Sequence, residues 1–259
     1  MLVVVHGGGG SACNRRRDAV AGVAQAFSWI FRVGTFNIEY RLVAEGGGYP
    51  ADLEDVKCAV EWIAAHAGGF GLDGSRIAIV GESAGAQLAL MAALTQGRDD
   101  LDPHCGSSPA RLVAAIAYSA PTDLPALAAS GFSTEPIASL YTGDPCLAPV
   151  DGCSAARSCN RCVDASPLAH ACDVTVPILL VQAPEAFDQT VPEAQALELN
   201  GALQDAGDPV QLDIPSPAEL LDAGCAPDDA ALQAHGFTPC LFQSSGAGFA
   251  AIVHATVGP

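Results

Sequence analysis

The segment Gly81-Glu82-Ser83-Ala84-Gly85 sets one hydroxyl among small residues in the pattern G-x-S-x-G. The apolar run Arg76-Ile77-Ala78-Ile79-Val80 precedes it, and an alanine- and leucine-rich stretch, Ala84 to Thr95, follows. This order predicts a strand, a sharp turn and a helix, with Ser83 on the turn. Such an elbow holds its serine in a strained backbone conformation, needs small neighbours, and lifts the hydroxyl clear of the sheet at a helix N-terminus. A second stretch, His6-Gly7-Gly8-Gly9, follows the apolar run Leu2–Val5, about 75 residues upstream. Together the two stretches suggest a nucleophile and an oxyanion hole on one α/β sheet.

The elements that must position them follow from the hydrophobic pattern. Short continuous runs at Leu2–Val5, Phe36–Leu42, Arg76–Val80, Leu112–Tyr118, Val176–Gln182 and Val210–Ile214 read as strands buried on both faces of a parallel sheet. Between them the clearest helix runs from Ala51 to His66, with Val56, Val60 and Ile63 at helical spacing, Pro50 before it and Gly68-Gly69 after it. Ala84–Thr95 and Pro192–Ala206 are further helices, the latter stopped by Gly207. Alternating strands and helices give a doubly wound α/β fold with a mostly parallel sheet. Residues 121–172 break the rhythm, being rich in Pro, Gly, Ser and Cys, and read as an excursion over one end of the sheet. The expected organisation is one domain over residues 1–259 with 121–172 as a Cys-rich, cap-like insertion.

Composition bounds the function. Eleven basic and 29 acidic residues give a net charge of −18, a field that repels nucleic acid and anionic lipid. Half the residues are hydrophobic, enough for a sizeable core, yet no apolar run approaches the roughly 18–20 residues needed to span a bilayer. Lys57 is the only lysine beside ten arginines. Ten cysteines, five of them at Cys146, Cys153, Cys159, Cys162 and Cys172, favour disulfides and an oxidising compartment. The rival for Cys159-x-x-Cys162 is a zinc site, which needs a second close pair; Cys225 and Cys240 bracket a polar segment and could staple it. No histidine pair has the i, i+4 spacing of a metal site on a helix, and the glycines at 7–10 lack the Gly-Lys-Ser/Thr of a phosphate loop. The expectation is no metal, no cofactor and no nucleic acid.

The order of motifs carries a family resemblance. Strand–HGGG is followed by Tyr40-Arg41-Leu42, then Tyr49-Pro50-Ala51-Asp52-Leu53-Glu54-Asp55, Gly71-Leu72-Asp73-Gly74-Ser75-Arg76-Ile77, and Gly81-Glu82-Ser83-Ala84-Gly85. This resembles the α/β-hydrolase superfamily, in its hormone-sensitive-lipase-like and feruloyl or acetyl-xylan esterase-like branch. The likeness is close to about residue 125, looser to about 215 and poor beyond. It implies Ser83 as nucleophile and the backbone N–H groups of Gly8, Gly9 and Ala84 as the oxyanion hole, with His6 structural. Members carry several dozen residues before HGGG. Here the chain opens on the HGGG strand, so the sheet is expected to lack the N-terminal strands, leaving Phe36–Leu42 as an exposed edge, and any export signal would lie upstream.

The resemblance also implies the partners of the serine. Asp188-Gln189-Thr190-Val191-Pro192 follows the strand at 176–182 and matches the D-x-x-V-P of the branch, which makes Asp188 the triad acid; the competing readings are a solvated carboxylate, a helix N-cap, or Glu185 in its place. Where the branch often has His-Gly, this chain has Gln182-Ala183. The base must follow the last strand, since the order is serine, acid, histidine. His235 and His254 both satisfy that. His235-Gly236-Phe237 is favoured because a glycine and an aromatic often follow the base, and because a final helix over Gly246 to Thr256 would absorb His254. His66 is expected at a helix C-terminus, and His104 and His170 in loops.

The implied activity is hydrolysis of short-chain or carbohydrate-linked esters through an acyl-enzyme, by a protein secreted or periplasmic. Two other readings stay open: a prolyl-oligopeptidase-type serine peptidase, and a non-catalytic ligand-binding protein on the hydrolase scaffold, as in the gibberellin receptor.

Overall fold

Uninterrupted runs of Val, Ile, Leu and Ala fix the sheet, because such runs have no polar face to show to water. The computed structural model of the chain describes residues 1–12, 16, 18–103, 105, 110–130, 143, 146, 160–172, 174, 176–228 and 234–256. Among the described residues six strands pair in parallel: β1 (Leu2–Val5), β2 (Thr35–Ile38), β3 (Ile77–Glu82), β4 (Leu112–Tyr118), β5 (Ile178–Val181) and β6 (Val210–Asp213). Their order across the sheet is β2-β1-β3-β4-β5-β6, the doubly wound arrangement expected. The register sets Val5 beside Gly81, Glu82 beside Tyr118, and Tyr118 beside Val181. The C-terminal ends of the four inner strands therefore form a level edge.

Helices cover both faces. On one side α2 (Ala51–His66), α3 (Ala84–Leu94) and α6 (Glu193–Ala206) pack over Val3, Val5, Ile77, Ile79, Ala115 and Leu180. On the other, α1 (Asp18–Phe31), α7 (Pro217–Asp222) and α8 (Pro239–Thr256) pack over Leu2, Val4, Val80, Ile116 and Leu179. Helix α3 is buried along its whole length, which is why its sequence is apolar all round instead of amphipathic. An aromatic cluster knits the second face: Phe27 stacks on Phe249 at 4.3 Å, and Phe237 meets Tyr118 edge-on at 5.4 Å.

Within residues 121–172 the described pieces are α4 (Leu124–Ala129), α5 (Arg161–Asp164) and a 3-10 turn at Pro167–His170. Asp123 caps α4 by accepting from Ala126 N, and Asn160 caps α5 by accepting from Cys162 N. Cys146 pairs with Cys162, so Cys162 is not a free thiolate for zinc; Cys153 and Cys159 lie outside the described residues. Cys58 pairs with Cys105, and Cys225 with Cys240 as the bracketed segment suggested.

Three expectations are corrected. The second strand ends at Ile38, not Leu42, because Tyr40 leaves the ladder to stack on His6 and Arg41 turns back to bond Asp55. The final helix starts at Pro239 instead of Gly246; Gly248 within it faces β6, where an added Cβ would lie 3.2 Å from Asp213 Oδ2. His170 ends the 3-10 turn Pro167–His170 instead of lying in a loop, and it is buried: it accepts from Arg98 at Nδ1 (3.3 Å) and donates from Nε2 to Asp164 O (2.7 Å). His66 ends α2 as expected, and His104 is outside the described residues.

Candidate active site

A parallel sheet offers one place where loops diverge at its carboxyl edge. Here β1 leads to β2 on one side while β3 lies on the other, so the crevice falls between the ends of β1 and β3, the usual ligand site of such sheets. The two motif loops, His6–Gly10 and Glu82–Ser83, leave from these strand ends.

Ser83 sits at φ 51°, ψ −123°, a backbone conformation that costs of order 1–3 kcal/mol and persists only where neighbours enforce it. The enforcement is visible. Ser83 N donates to Tyr118 O at 2.8 Å, and Ser83 O takes the first helical bonds from Ala86 N and Gln87 N. A side chain at Gly81 would collide with Gly85 O, and one at Gly85 with His6 O. The small residues of G-x-S-x-G are thus required by close passage of the backbone on either side of the turn.

The HGGG loop is pinned from three directions. Tyr40 stacks on His6 at 4.4 Å and donates its hydroxyl to His6 O at 3.0 Å. Val43 N donates to Gly10 O, and Gly7 N to Glu82 Oε1 at 3.3 Å. His6 is fully buried, with Nδ1 against Gly7 O and Nε2 3.3 Å from Glu39 Oε1, a structural place as expected. Gly8, Gly9 and Gly10 all have positive φ, at 111°, 61° and 68°. Among the described residues, the N–H groups of Gly8 and Gly9 donate to nothing in the protein.

Asp188 and His235 meet directly. His235 Nδ1 lies 2.9 Å from Asp188 Oδ2 and 3.0 Å from Oδ1. A ring nitrogen facing a carboxylate carries the proton, which leaves Nε2 as the acceptor. Asp188 is fully buried, while the His235 side chain is 23% exposed. Burial pushes the Asp188 carboxyl up; the hydrogen bond and charge of His235, with the Thr190 and Val191 N–H groups, outweigh it and hold the group below its ordinary value. Asp188 is therefore neither a solvated carboxylate nor the cap of α6. Glu185 takes no part in this contact.

Loop bonds tie this pair to the serine turn. Ala234 N donates to Phe187 O at 3.0 Å, joining the residue before His235 to the residue before Asp188. Gly236 N donates to Ser119 Oγ at 3.0 Å and Phe237 N to Glu82 Oε2 at 2.8 Å. Phe237 then drops into the aromatic cluster. His254 is elsewhere, in the last turn of α8 with its ring edge-on to Phe31 at 6.3 Å.

Sequence reasoning passed over the polar row behind these loops. Glu82 ends β3, Ser119 follows β4 and Gln182 follows β5, all three buried at neighbouring positions on the sheet edge. Gln182 donates from Nε2 to Asp188 Oδ2 at 3.1 Å. The available signal was position: a polar residue closing a wholly buried strand needs partners.

A family model, BD-FAE, matches residues 1–203. Carboxylesterase NlhH of Mycobacterium tuberculosis is 36% identical over 97 residues, 37% of this chain and 30% of that protein. Esterase LipQ of Mycobacterium tuberculosis is 30% identical over 165 residues, 61% of this chain and 35% of that one. The chain spans about a third of the length of these curated relatives. Among solved structures, a truncated form of a carbohydrate esterase from gut microbiota is similar with a TM-score of 0.67 at 20% identity, over 82% of this chain and 75% of that one, which shows the fold.

Proposed function

The chain belongs to the BD-FAE family, and on that premise we propose that it is a serine carboxylic ester hydrolase acting through an acyl-enzyme. The observation that carries the proposal is the knitting of the Asp188–His235 pair to the Ser83 turn through Glu82 and Ser119.

In this mechanism Ser83 Oγ attacks the ester carbonyl while His235 Nε2 takes its proton. Asp188 holds the Nδ1–H and stabilises the imidazolium that forms. The Gly8, Gly9 and Ala84 N–H groups receive the oxyanion, where one such donor is worth ~10²–10³ in rate. His235 then protonates the leaving alcohol, and water activated by the same nitrogen releases the acid and restores Ser83. The atoms balance without a metal or cofactor taking part.

The substrates proposed are short-chain acyl esters, free or carbohydrate-linked. Residues 121–172 act as a cap-like insertion on a single α/β-hydrolase domain, a role supported by the packing of α4 and α5 against the core around Leu124, Leu127, Cys162 and Leu168. Three disulfides among the described residues support a secreted or periplasmic home, since such bonds persist in oxidising compartments. Among the described residues no helix is long and apolar enough to cross a membrane.

The test is hydrolysis of p-nitrophenyl acetate beside labelling by a fluorophosphonate probe. Wild-type protein should turn over and be labelled at Ser83, and a folded Ser83→Ala should do neither. Turnover retained in Ser83→Ala sinks the proposal, and a folded wild type that neither turns over nor takes the label points to a binding protein.

A further inference from the structure

Gln182 is the first residue past β5, and its backbone is locked by donation from its N to Asp213 O at 3.1 Å. Its side chain is fully buried. Three acceptors surround Nε2: Asp188 Oδ2 and Val191 O, each at 3.1 Å, and Ala183 O at 3.3 Å. Oε1 meets no donor among the described residues. This asymmetry fixes the amide's orientation, because the flipped amide would set its oxygen against a carboxylate and two carbonyls. A buried oxygen without a partner is unfavourable by itself. It is sustained here because the N–H groups of the same amide serve the acid loop.

The Asp188 carboxylate takes Thr190 N and Val191 N on Oδ1 and Gln182 on Oδ2, with His235 Nδ1 facing both oxygens. Among the described residues, Gln182 and His235 are the side chains that hydrogen-bond to it. We infer that Gln182 is a positioning residue for the Asp188–His235 pair: its amide holds Oδ2 at the angle that accepts the His235 Nδ1 proton and ties the carboxylate to the Val191 carbonyl. The inference deepens the esterase proposal and rests on it. A neutral donor suits the place. It favours the carboxylate form without adding a cation to compete with the imidazolium, and without adding an anion that would hold the imidazole protonated.

The experiment compares wild type, Gln182→Met (same length, no donor), Gln182→Glu (same shape, ionisable) and Ser83→Ala, with p-nitrophenyl acetate across pH and proton NMR of the His235 Nδ1–H. Gln182→Met should lower kcat by about ten to a hundredfold, the worth of a hydrogen bond to a charged group, with KM within about twofold. Its far-downfield Nδ1–H resonance should move or vanish. Gln182→Glu keeps a donor to Asp188 only while its carboxyl is protonated. As that carboxyl ionises it favours the protonated imidazole, so the acid limb of kcat/KM should move to higher pH. A merely structural role would lower Tm and leave limb and resonance in place. Gln182→Met within about twofold of wild type, or an unmoved acid limb in Gln182→Glu, overturns the inference. If wild-type turnover does not depend on Ser83, the esterase proposal fails instead, and the Nδ1–H resonance in the two Gln182 variants still decides for or against Gln182.

Discussion

Glu82 Oε2 accepts the Phe237 N–H at 2.8 Å across 155 residues of chain. The other carboxylate oxygen accepts from Gly7 N at 3.3 Å. One side chain, adjacent to Ser83, therefore holds both the glycine loop at Gly7 and the loop after His235.

Replacing Glu82 should loosen both loops at once. Glu82→Gln has one oxygen to offer two donors, so one buried N–H loses its acceptor at about 1–3 kcal/mol. We expect Tm to fall and kcat for p-nitrophenyl acetate to drop about tenfold or more with KM little changed. Thermal unfolding and steady-state kinetics check this; an unchanged kcat contradicts the role.

Asp188→Asn should keep the geometry and lose the imidazole tautomer, lowering kcat by about 10⁴-fold. It should also change acid stability. Burial raises the Asp188 carboxyl, but His235 and the loop N–H groups outweigh it, so its pKa in the folded chain lies below the unfolded value. Such a group stabilises the fold above about pH 4 and loses that contribution as pH falls through the folded pKa. Chemical unfolding between pH 2 and 6 should show a steeper decline in wild type than in Asp188→Asn.

Lys57 makes the opposite kind of prediction. It donates to Thr95 O at 3.1 Å and Leu101 O at 3.0 Å, just past the end of α3, and burial brings its pKa down to about 8 against Asp102 and Asp100, which raise it. The folded chain thus releases this proton before the unfolded chain does. Stability should rise between pH about 8 and 10.5, by roughly 1–3 kcal/mol after allowance for solvent screening. Lys57→Met should flatten the rise in urea unfolding curves; an unaltered slope refutes the assignment.

The Cys225–Cys240 disulfide closes a segment 15 residues long that contains His235. Replacing both cysteines by alanine should cost about 3 kcal/mol, or about 6–12 °C in Tm. Because that segment carries the base loop, turnover should fall well below the unfolding temperature. Calorimetry paired with activity at 25 °C separates the two effects.

Much of this was legible in sequence where one physical demand dominated. Leu2–Val5, Leu112–Tyr118 and Ala51–His66 were read with correct ends, because full burial or clean helical spacing leaves little choice. Ser83 was legible because a strained turn forces glycine on both sides. The contact of Asp188 with His235 was anticipated only through resemblance, since 47 residues separate them and nothing local couples them. Helix α1 was not singled out, although Val20, Val23, Ala24 and Phe27 mark its buried stripe; its alanine-rich sequence gives weak contrast. The roles of Glu82 and Ser119 escaped because their partners are backbone N–H groups more than a hundred residues away, which no side-chain pattern records.

The two faces of the sheet divide labour. Phe187, Ala234 and Phe237, beside Asp188 and His235, belong to the core shared with α1 and α8. Leu124, Leu127, Cys146, Cys162 and Leu168 of the excursion belong to the core on the opposite face. Changes in well-separated cores combine almost additively. Replacements at the described excursion residues should thus combine almost additively with changes around Asp188 and His235, whereas a cavity opened at Phe27 or Phe249 should be felt at Phe237, next but one to His235.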